Sequence, residues 1–476
     1  MPRASRLVVL AGLTVIICLV LYASMMYTPE RSLSSSLDKS KEAGTRVGGT
    51  GYFSWFPHGG FPEQHEAFRT AIRIAFETKR TIIAPKLRLG RSYDWAPFDT
   101  LSRRYEAQDK AILRQLCRSD KRYWQTILEP CETIDEWTEI PWSVLFDFTE
   151  LQQKYGIQII ERTEGHGWGT AESALGGSVD PADVVVVDPM SFPKNGSLID
   201  ENAATAASST LPLPRLMRTS QIQKIQQRLI QFGSLASAAR YPTGESKGLS
   251  ALNKDISSRL FILPDRLPPL TAAAEKITMT LGGRKAYNWL YLNLTYFNEL
   301  DKLDPVPINE MSKQDSKDLM AGVITEIFGD MPINQAVAAS IPEDDKARLT
   351  SILQNNKKKE MLATCIDYRS KTDNKYPMYY LVNELESDPL QSRPELFKPL
   401  FEALPCLFTK QDMYSIGVLD KSWAKHSDIL SDPNVDYEAL LSPMLDILVA
   451  SKAYSFFETP QTLLSRFLNF VLRASQ

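Results

Sequence analysis

The stretch YFSWFPHGGFPEQHEAFRTAIRIAFETKRTIIAPKLRLG, residues 52–90, decides the fold. Its opening run, Tyr52 to Phe56, is aromatic and apolar and suits a buried strand. Pro57-His58-Gly59-Gly60-Phe61 is a turn. From Glu63 to Thr78 apolar residues recur at helical spacing, so an amphipathic helix is expected, with Lys79 and Arg80 in its last turn, where the helix dipole favours cations. Thr81 to Ala84 is a second strand, stopped by Pro85. Strand, glycine turn, helix and strand make a βαβ unit, and this predicts an α/β fold. The glycines allow close backbone approach, and free N–H groups at the start of a helix suit a phosphate. A βαβ unit that binds nothing is the alternative.

Working outward toward the N-terminus, Arg3 and Arg6 precede an uncharged apolar run from Leu7 to Tyr27. About 20 such residues span a bilayer core. The expectation is a cytoplasmic tail over 1–6, a transmembrane signal anchor over 7–27 and a flexible stem over 28–50, with the body in the lumen of the Golgi or endoplasmic reticulum. A signal peptide cleaved after Ala23 is the alternative. The chain has 476 residues and a formal net charge of -3, a balance that gives no electrostatic reason to expect nucleic-acid binding. In a luminal body the four cysteines beyond the apolar run point to two disulfides. Proximity in the chain suggests Cys117–Cys131 and Cys365–Cys406, and four buried free thiols are the alternative.

Toward the C-terminus, residues 94–142 are dense in aromatic and charged residues and read as acceptor-side or packing loops, with Trp124, Trp137 and Trp142 in the core. Residues 157–160 and 184–187 read as strands, 165–169 as a glycine-rich insertion, 203–209 as irregular and 221–238 as a helix. Phe261 to Pro264 suggests a crossover, so a first lobe is expected over 51–265 and a second over 266–476. In the second, Tyr287–Leu294, Met378–Val382 and Phe456-Phe457 read as strands and Pro443–Ala453 as a helix. Asn195 and Asn293 begin glycosylation sequons. The sequence has no Asp-x-Asp pair, zinc spacing, nucleophile elbow or Walker loop, so no metal or cofactor is expected.

Three segments together resemble the GDP-fucose protein O-fucosyltransferase family, particularly its fungal branch. Gly60-Phe61-Pro62-Glu63-Gln64 is similar to the family's Gly-x-Phe-x-Asn-Gln turn, with Glu63 at the Asn position. Tyr287-Asn288-Trp289-Leu290-Tyr291-Leu292-Asn293 is similar to its Tyr-x-Gly-x-His-Leu-Arg strand, with Asn293 at the position of the arginine that contacts the donor's phosphates. Residues 443–467 are similar to a helix bearing an Asp, then Ser-x-x-Phe-x-Gly-Thr, then Ser-Thr-Phe-Ser. Here Asp446, Phe456, Thr459 and Thr462 match, Ser465 is nearby, and Ala453, Glu458 and Gln461 differ.

The resemblance implies a GT-B-like fold, two Rossmann-type lobes facing a cleft, with the nucleotide sugar on the second lobe. It implies inverting, metal-independent transfer from GDP-fucose to a hydroxyl of a glycan or protein acceptor. Gly59, Gly60, Phe61, Gln64, Asp446, Thr459, Thr462 and Ser465 would line the donor site, and Asn293 would stand at the catalytic position. Two other readings remain beside it: a catalytically inactive relative that binds a glycan or a partner, and a transferase for another nucleotide sugar.

Overall fold

The computed structural model describes residues 51–94, 96–106, 110–118, 131–162, 180–187, 215–236, 239–240, 247–258, 263–292, 318, 320–322, 324–325, 347–349, 351–352, 357–371, 378–383, 388–425, 430–459, 467–468 and 470–471. The anchor and stem expected over 7–50, both sequons, Trp124, the insertion at 165–169 and the segment 203–209 lie outside them. Among the described residues no helix is long and apolar enough to cross a membrane.

The chain begins with β1 (Tyr52–Trp55), α1 (Phe61–Thr78) and β2 (Thr81–Ala84). Helix α1 buries Phe61, Gln64, His65, Ala67, Phe68, Ala71, Ile72, Ile74 and Ala75, the stripe its sequence period dictates. Lys79 closes the helix in the left-handed conformation, φ 57°, and donates its N–H to Ala75 O. Lys79 and Arg80 therefore lie beyond the last turn rather than within it. The guanidinium of Arg80 donates instead to the carbonyls of Ile225 and Gln227, fixing the approach to a later strand.

An antiparallel pair follows, β3 (Leu87–Gly90) with β4 (Trp137–Ile140). Between them stand α2 (Phe98–Glu106) and α3 (Lys110–Arg118), so the described part of this aromatic-rich region holds helices where loops are expected from the sequence. Trp137 and Trp142 are core residues. Then come α4 (Thr149–Tyr155), β5 (Ile159–Glu161), β6 (Val184–Val187), the two-residue β7 (Arg215–Leu216), α5 (Thr219–Ile222), β8 (Leu229–Phe232), β9 (Ala239–Arg240) and α6 (Leu249–Ser258). The helix expected over 221–238 is absent: α5 ends at Ile222, and Leu229–Phe232 is a fully buried strand in the first sheet. That sheet has the order β5-β2-β1-β8-β6, and every pairing in it is parallel.

The second sheet is also all parallel. Its elements are α7 (Pro268–Thr280), β10 (Asn288–Leu292), α8 (Lys358–Lys371), β11 (Tyr379–Asn383), α9 (Pro389–Ser392), α10 (Pro394–Ala403), β12 (Leu407–Thr409), α11 (Lys410–Ser415), α12 (Tyr437–Ala450) and β13 (Ser455–Thr459). The strand order is β12-β11-β10-β13. The strands of both sheets are short apolar runs, as parallel strands covered on both faces must be.

One hydrophobic cluster runs through both halves, from Phe53, Trp55 and Phe232 to Tyr287, Trp289, Tyr380 and Leu445. Ion pairs reinforce the join: Lys110 and Arg114 reach Asp432 at 3.0 Å and 2.8 Å. Both disulfides are formed, Cys117–Cys131 and Cys365–Cys406, closing separations of 14 and 41 residues. In the chain-entropy view they contribute about 3 and about 4 kcal/mol.

Candidate ligand site at the carboxyl ends of the strands

A parallel sheet leaves a crevice at the carboxyl ends of its strands where the winding direction reverses. In the first sheet β2 and β5 lie on one side of β1, and β8 and β6 lie on the other. The reversal therefore falls between β1 and β8. Their carboxyl ends lead into His58 and Ser234, whose Nε2 and Oγ atoms lie 2.6 Å apart. Ser234 also accepts the Ala236 N–H at 3.2 Å. Burial pushes His58 down to about 4, opposed by its bond to the Ala236 backbone and by the charge of Asp94. The Tyr105 hydroxyl donates to Pro57 O, and Gly59 N–H donates to Tyr93 O at 2.7 Å. The turn is thus held on three sides. Gly59 has φ +69°, and a Cβ there would lie 2.7 Å from Glu63 Cβ, so glycine is required.

Helix α1 starts after Gly60, which offers no side-chain cap. The Glu63 carboxylate takes that role and accepts the N–H groups of Gly60 and of Glu63 itself. This is half of a capping box. Burial nevertheless raises the Glu63 pKa. The phosphate-ready N–H groups expected from the sequence are therefore shared with a carboxylate. Gln64 is buried, and its amide is engaged inside the protein: Nε2 donates to Gly59 O and Arg88 O at 3.1 Å and 2.9 Å, and Oε1 accepts Arg88 N–H at 2.9 Å. Phe61 is also buried, its ring 5.7 Å from His65 and 5.5 Å from Phe467. Gly60 is the exposed member of the turn.

In the second sheet the reversal lies between β10 and β13. Leu292 and Thr459 pair in register at their carboxyl ends. Asn293 follows Leu292 directly, and Thr462 and Ser465 follow Thr459; these three lie outside the described residues. Asp446 on α12 faces the same sheet and accepts the Tyr380 hydroxyl at 3.3 Å. Burial raises Asp446 to about 6, opposed by the Lys410 charge and the Tyr380 bond. The Trp289 ring stacks on Tyr291 at 5.9 Å and meets Phe456 in a tilted contact at 5.3 Å.

Residues 460–466 join Thr459 to a helical turn holding Phe467 and Phe470. Phe467 lies 4.8 Å from the His65 ring, and Arg69 sits 4.0 Å over Phe470. The chain thus passes from the carboxyl end of β13 to the first turns of α1, which follows the carboxyl end of β1. Gly59, Gly60, Phe61 and Gln64 lie at one end of this passage, and the strand end at Thr459 lies at the other. Sequence reasoning did not single out His58 with Ser234, or Tyr380 with Asp446. The two residues of the first pair are 176 positions apart, and no local pattern links them. A cavity of about 930 Å³ is lined by residues that follow β11 and β12 and by the first turn of α8. Among the described residues no group of His, Cys, Asp or Glu is placed to hold a metal ion.

The structure defines a mixed α/β protein with two doubly wound parallel sheets. No family model matches the sequence, and no curated protein is similar to it. Among solved structures it is similar to POFUT1 in complex with GDP-fucose, with 10% sequence identity, 90% of this chain and 95% of that chain covered, and a TM-score of 0.35.

Proposed function

We propose that this chain is a membrane-anchored, luminal GT-B-like glycosyltransferase of the endoplasmic reticulum or Golgi. It takes GDP-fucose as donor and transfers fucose, with inversion and without a metal, to a hydroxyl of a glycan or protein acceptor. The observation that carries this reading is the passage between the two winding reversals. Leu292 and Thr459 end paired strands of one sheet, and eight residues after Thr459 Phe467 packs on Phe61 and His65 beside the glycine turn of the other. Of the residues on which the resemblance rests, Gly60 and Phe61 follow β1 and Thr459 ends β13.

In the reaction, the acceptor oxygen bonds to the anomeric carbon as the bond from that carbon to the diphosphate breaks, and the hydroxyl proton passes to water. Thr459, Thr462 and Ser465 hold the diphosphate, Asp446 lies on the donor side, and Asn293 hydrogen-bonds the leaving group without supplying charge. Gly59 and Gly60 let the backbone approach the ligand, while Phe61 and Gln64 hold the turn in shape through their internal contacts.

A second reading, a catalytically inactive relative that binds a glycan or partner, is favoured by one observation. The Glu63 carboxylate sits on the Gly60 amide, where a phosphate of the donor belongs. The assigned phosphate site is tested by Thr462→Ala in the full chain. Affinity for GDP is expected to fall about tenfold, the effect of losing one hydrogen bond to a charged group. Unchanged affinity contradicts the assignment.

A further inference from the structure

The cavity of about 930 Å³ is built from the first turn of α8, from Asp388 and Gln391 beyond β11, and from α11 and Ile416, which follow β12. The second sheet is parallel, so residues that follow its strands stand at the carboxyl ends, the end at which Leu292 and Thr459 also stand. The volume is within the range of small-molecule sites.

The charges of the lining cancel. Lys357, Lys358 and Lys359 stand against Glu360, Asp388 and Asp412. Lys358 and Asp412 pair at 3.0 Å, with side-chain exposures of only 9% and 3%, and Lys357 pairs with Glu360 at 3.4 Å. An ionic ligand would have to displace one of these pairs or meet a like charge. A neutral ligand leaves them in place and can bond to both of their partners.

What the walls offer is hydrogen bonding in both senses. The amides of Gln391 and Gln411 are exposed, and each both donates and accepts. The Asp388 carboxylate accepts the Leu390 N–H at 2.9 Å through one oxygen, and a carboxylate has lone pairs for further donors. The exposed Lys359 ammonium donates. Hydroxyl groups, donors and acceptors at once, match such a mixture. One side of the lining is apolar. Ala363 is exposed on α8, one turn beyond Lys359. Ile366 continues the same helical face and is one of the large hydrophobic side chains that the described residues leave exposed, at 38%. Ile416 adds a half-buried apolar side chain to the lining. A saccharide ring, with C–H faces and a rim of hydroxyls, suits both kinds of wall.

We propose that this cavity is a binding site for a neutral oligosaccharide, separate from the glycine turn and from the assigned phosphate site. Gln391, Gln411 and Asp388 bond its hydroxyls, Ala363 and Ile416 meet its C–H faces, and the Lys358–Asp412 pair keeps the floor in place. The inference does not depend on the transferase reading.

The test is calorimetric titration of the full-length chain, in a detergent without a sugar headgroup, with triacetylchitotriose, mannotriose and lactose. The variants are Gln391→Ala/Gln411→Ala, which removes the exposed amides, and Ala363→Trp, which fills the cavity from an exposed helix position. Saturable binding of at least one saccharide is expected, with the same affinity in excess GDP. It should weaken about tenfold or more in each variant, while GDP affinity stays the same. Absence of saturable binding to all three saccharides, or unchanged saccharide affinity in either variant, overturns the proposal. Competition by GDP places the saccharide in the donor crevice and overturns it as well. Failure to bind GDP, with saccharide binding that responds to the variants, upholds this site and contradicts the transferase reading alone.

Discussion

His58 and Ser234 meet at 2.6 Å across the gap between β1 and β8, where the first sheet reverses its winding. The contact ties together two strand ends that are 176 residues apart in sequence. The imidazole is buried, and burial lowers the His58 pKa from 6.5 to about 4. The folded state therefore binds this proton less readily than the unfolded chain does. Its contribution is intact above pH 6.5 and is lost as the pH falls toward 4.

Asp446 acts in the opposite sense. Its folded pKa is raised from 3.8 to about 6, so the stability linked to its protonated form is present below pH 4 and lost as the pH rises to 6. Between pH 4 and 6 the two groups oppose each other, each on the order of 2 kcal/mol. Asp446→Asn is expected to stabilise the protein at pH 7 and to expose a loss of stability on acidification. His58→Gln is expected to expose the reverse slope. Urea unfolding at pH 4, 5, 6 and 7 reads both, and parallel pH profiles for the two variants contradict the account.

Glu63 holds the Gly60 amide with a carboxylate whose pKa is raised by burial. A diphosphate approaching the turn meets that charge. Glu63→Asn removes the charge and is expected to tighten GDP binding about tenfold, an electrostatic effect of roughly 1–2 kcal/mol. In the unaltered chain, affinity is expected to rise as the pH falls through the raised pKa of Glu63, whereas the variant loses that part of the dependence. Equal affinity of the two proteins at neutral pH contradicts this placement of the phosphate.

Gly90 ends β3 with φ +80°, and a Cβ there would lie 2.1 Å from the Glu136 carbonyl oxygen and 2.3 Å from a methyl carbon of Leu440 on α12. This is a point where the first half of the chain rests on the second. Gly90→Ala is expected to cost about 2–4 kcal/mol, through backbone strain and overpacking together. Adding Leu440→Ala should not restore stability, since the Glu136 carbonyl remains and the leucine's packing is lost. An unchanged melting temperature for Gly90→Ala contradicts the described packing.

The βαβ unit over 52–84 was legible because its strands are compact apolar runs and α1 spans 18 residues with a clear period. Strands at 288–292, 379–383 and 455–459 were legible for the same reason. Strand β8 was not. It has only four residues and is buried on both faces, so it lacks alternation, and the polar stretch before it mimics a helix. Lys79 was misplaced because a left-handed cap is a backbone feature that a lysine does not advertise. The engagement of Gln64 was hidden because its partner Arg88 is 24 residues away, on a strand that only the folded chain brings near. Likewise the burial of Lys358 against Asp412 appears only when α8 and α11 are brought together.

The central claim is that a nucleotide sugar binds between the two strand-end turns. Calorimetric titration of the full-length chain in detergent with GDP-fucose, GDP and a panel of other nucleotide sugars tests it most directly. The account predicts saturable binding of GDP-fucose and GDP, weakened by Thr462→Ala. Failure of a cooperatively folded sample to bind either, or saturable binding of a different nucleotide sugar in their place, contradicts it.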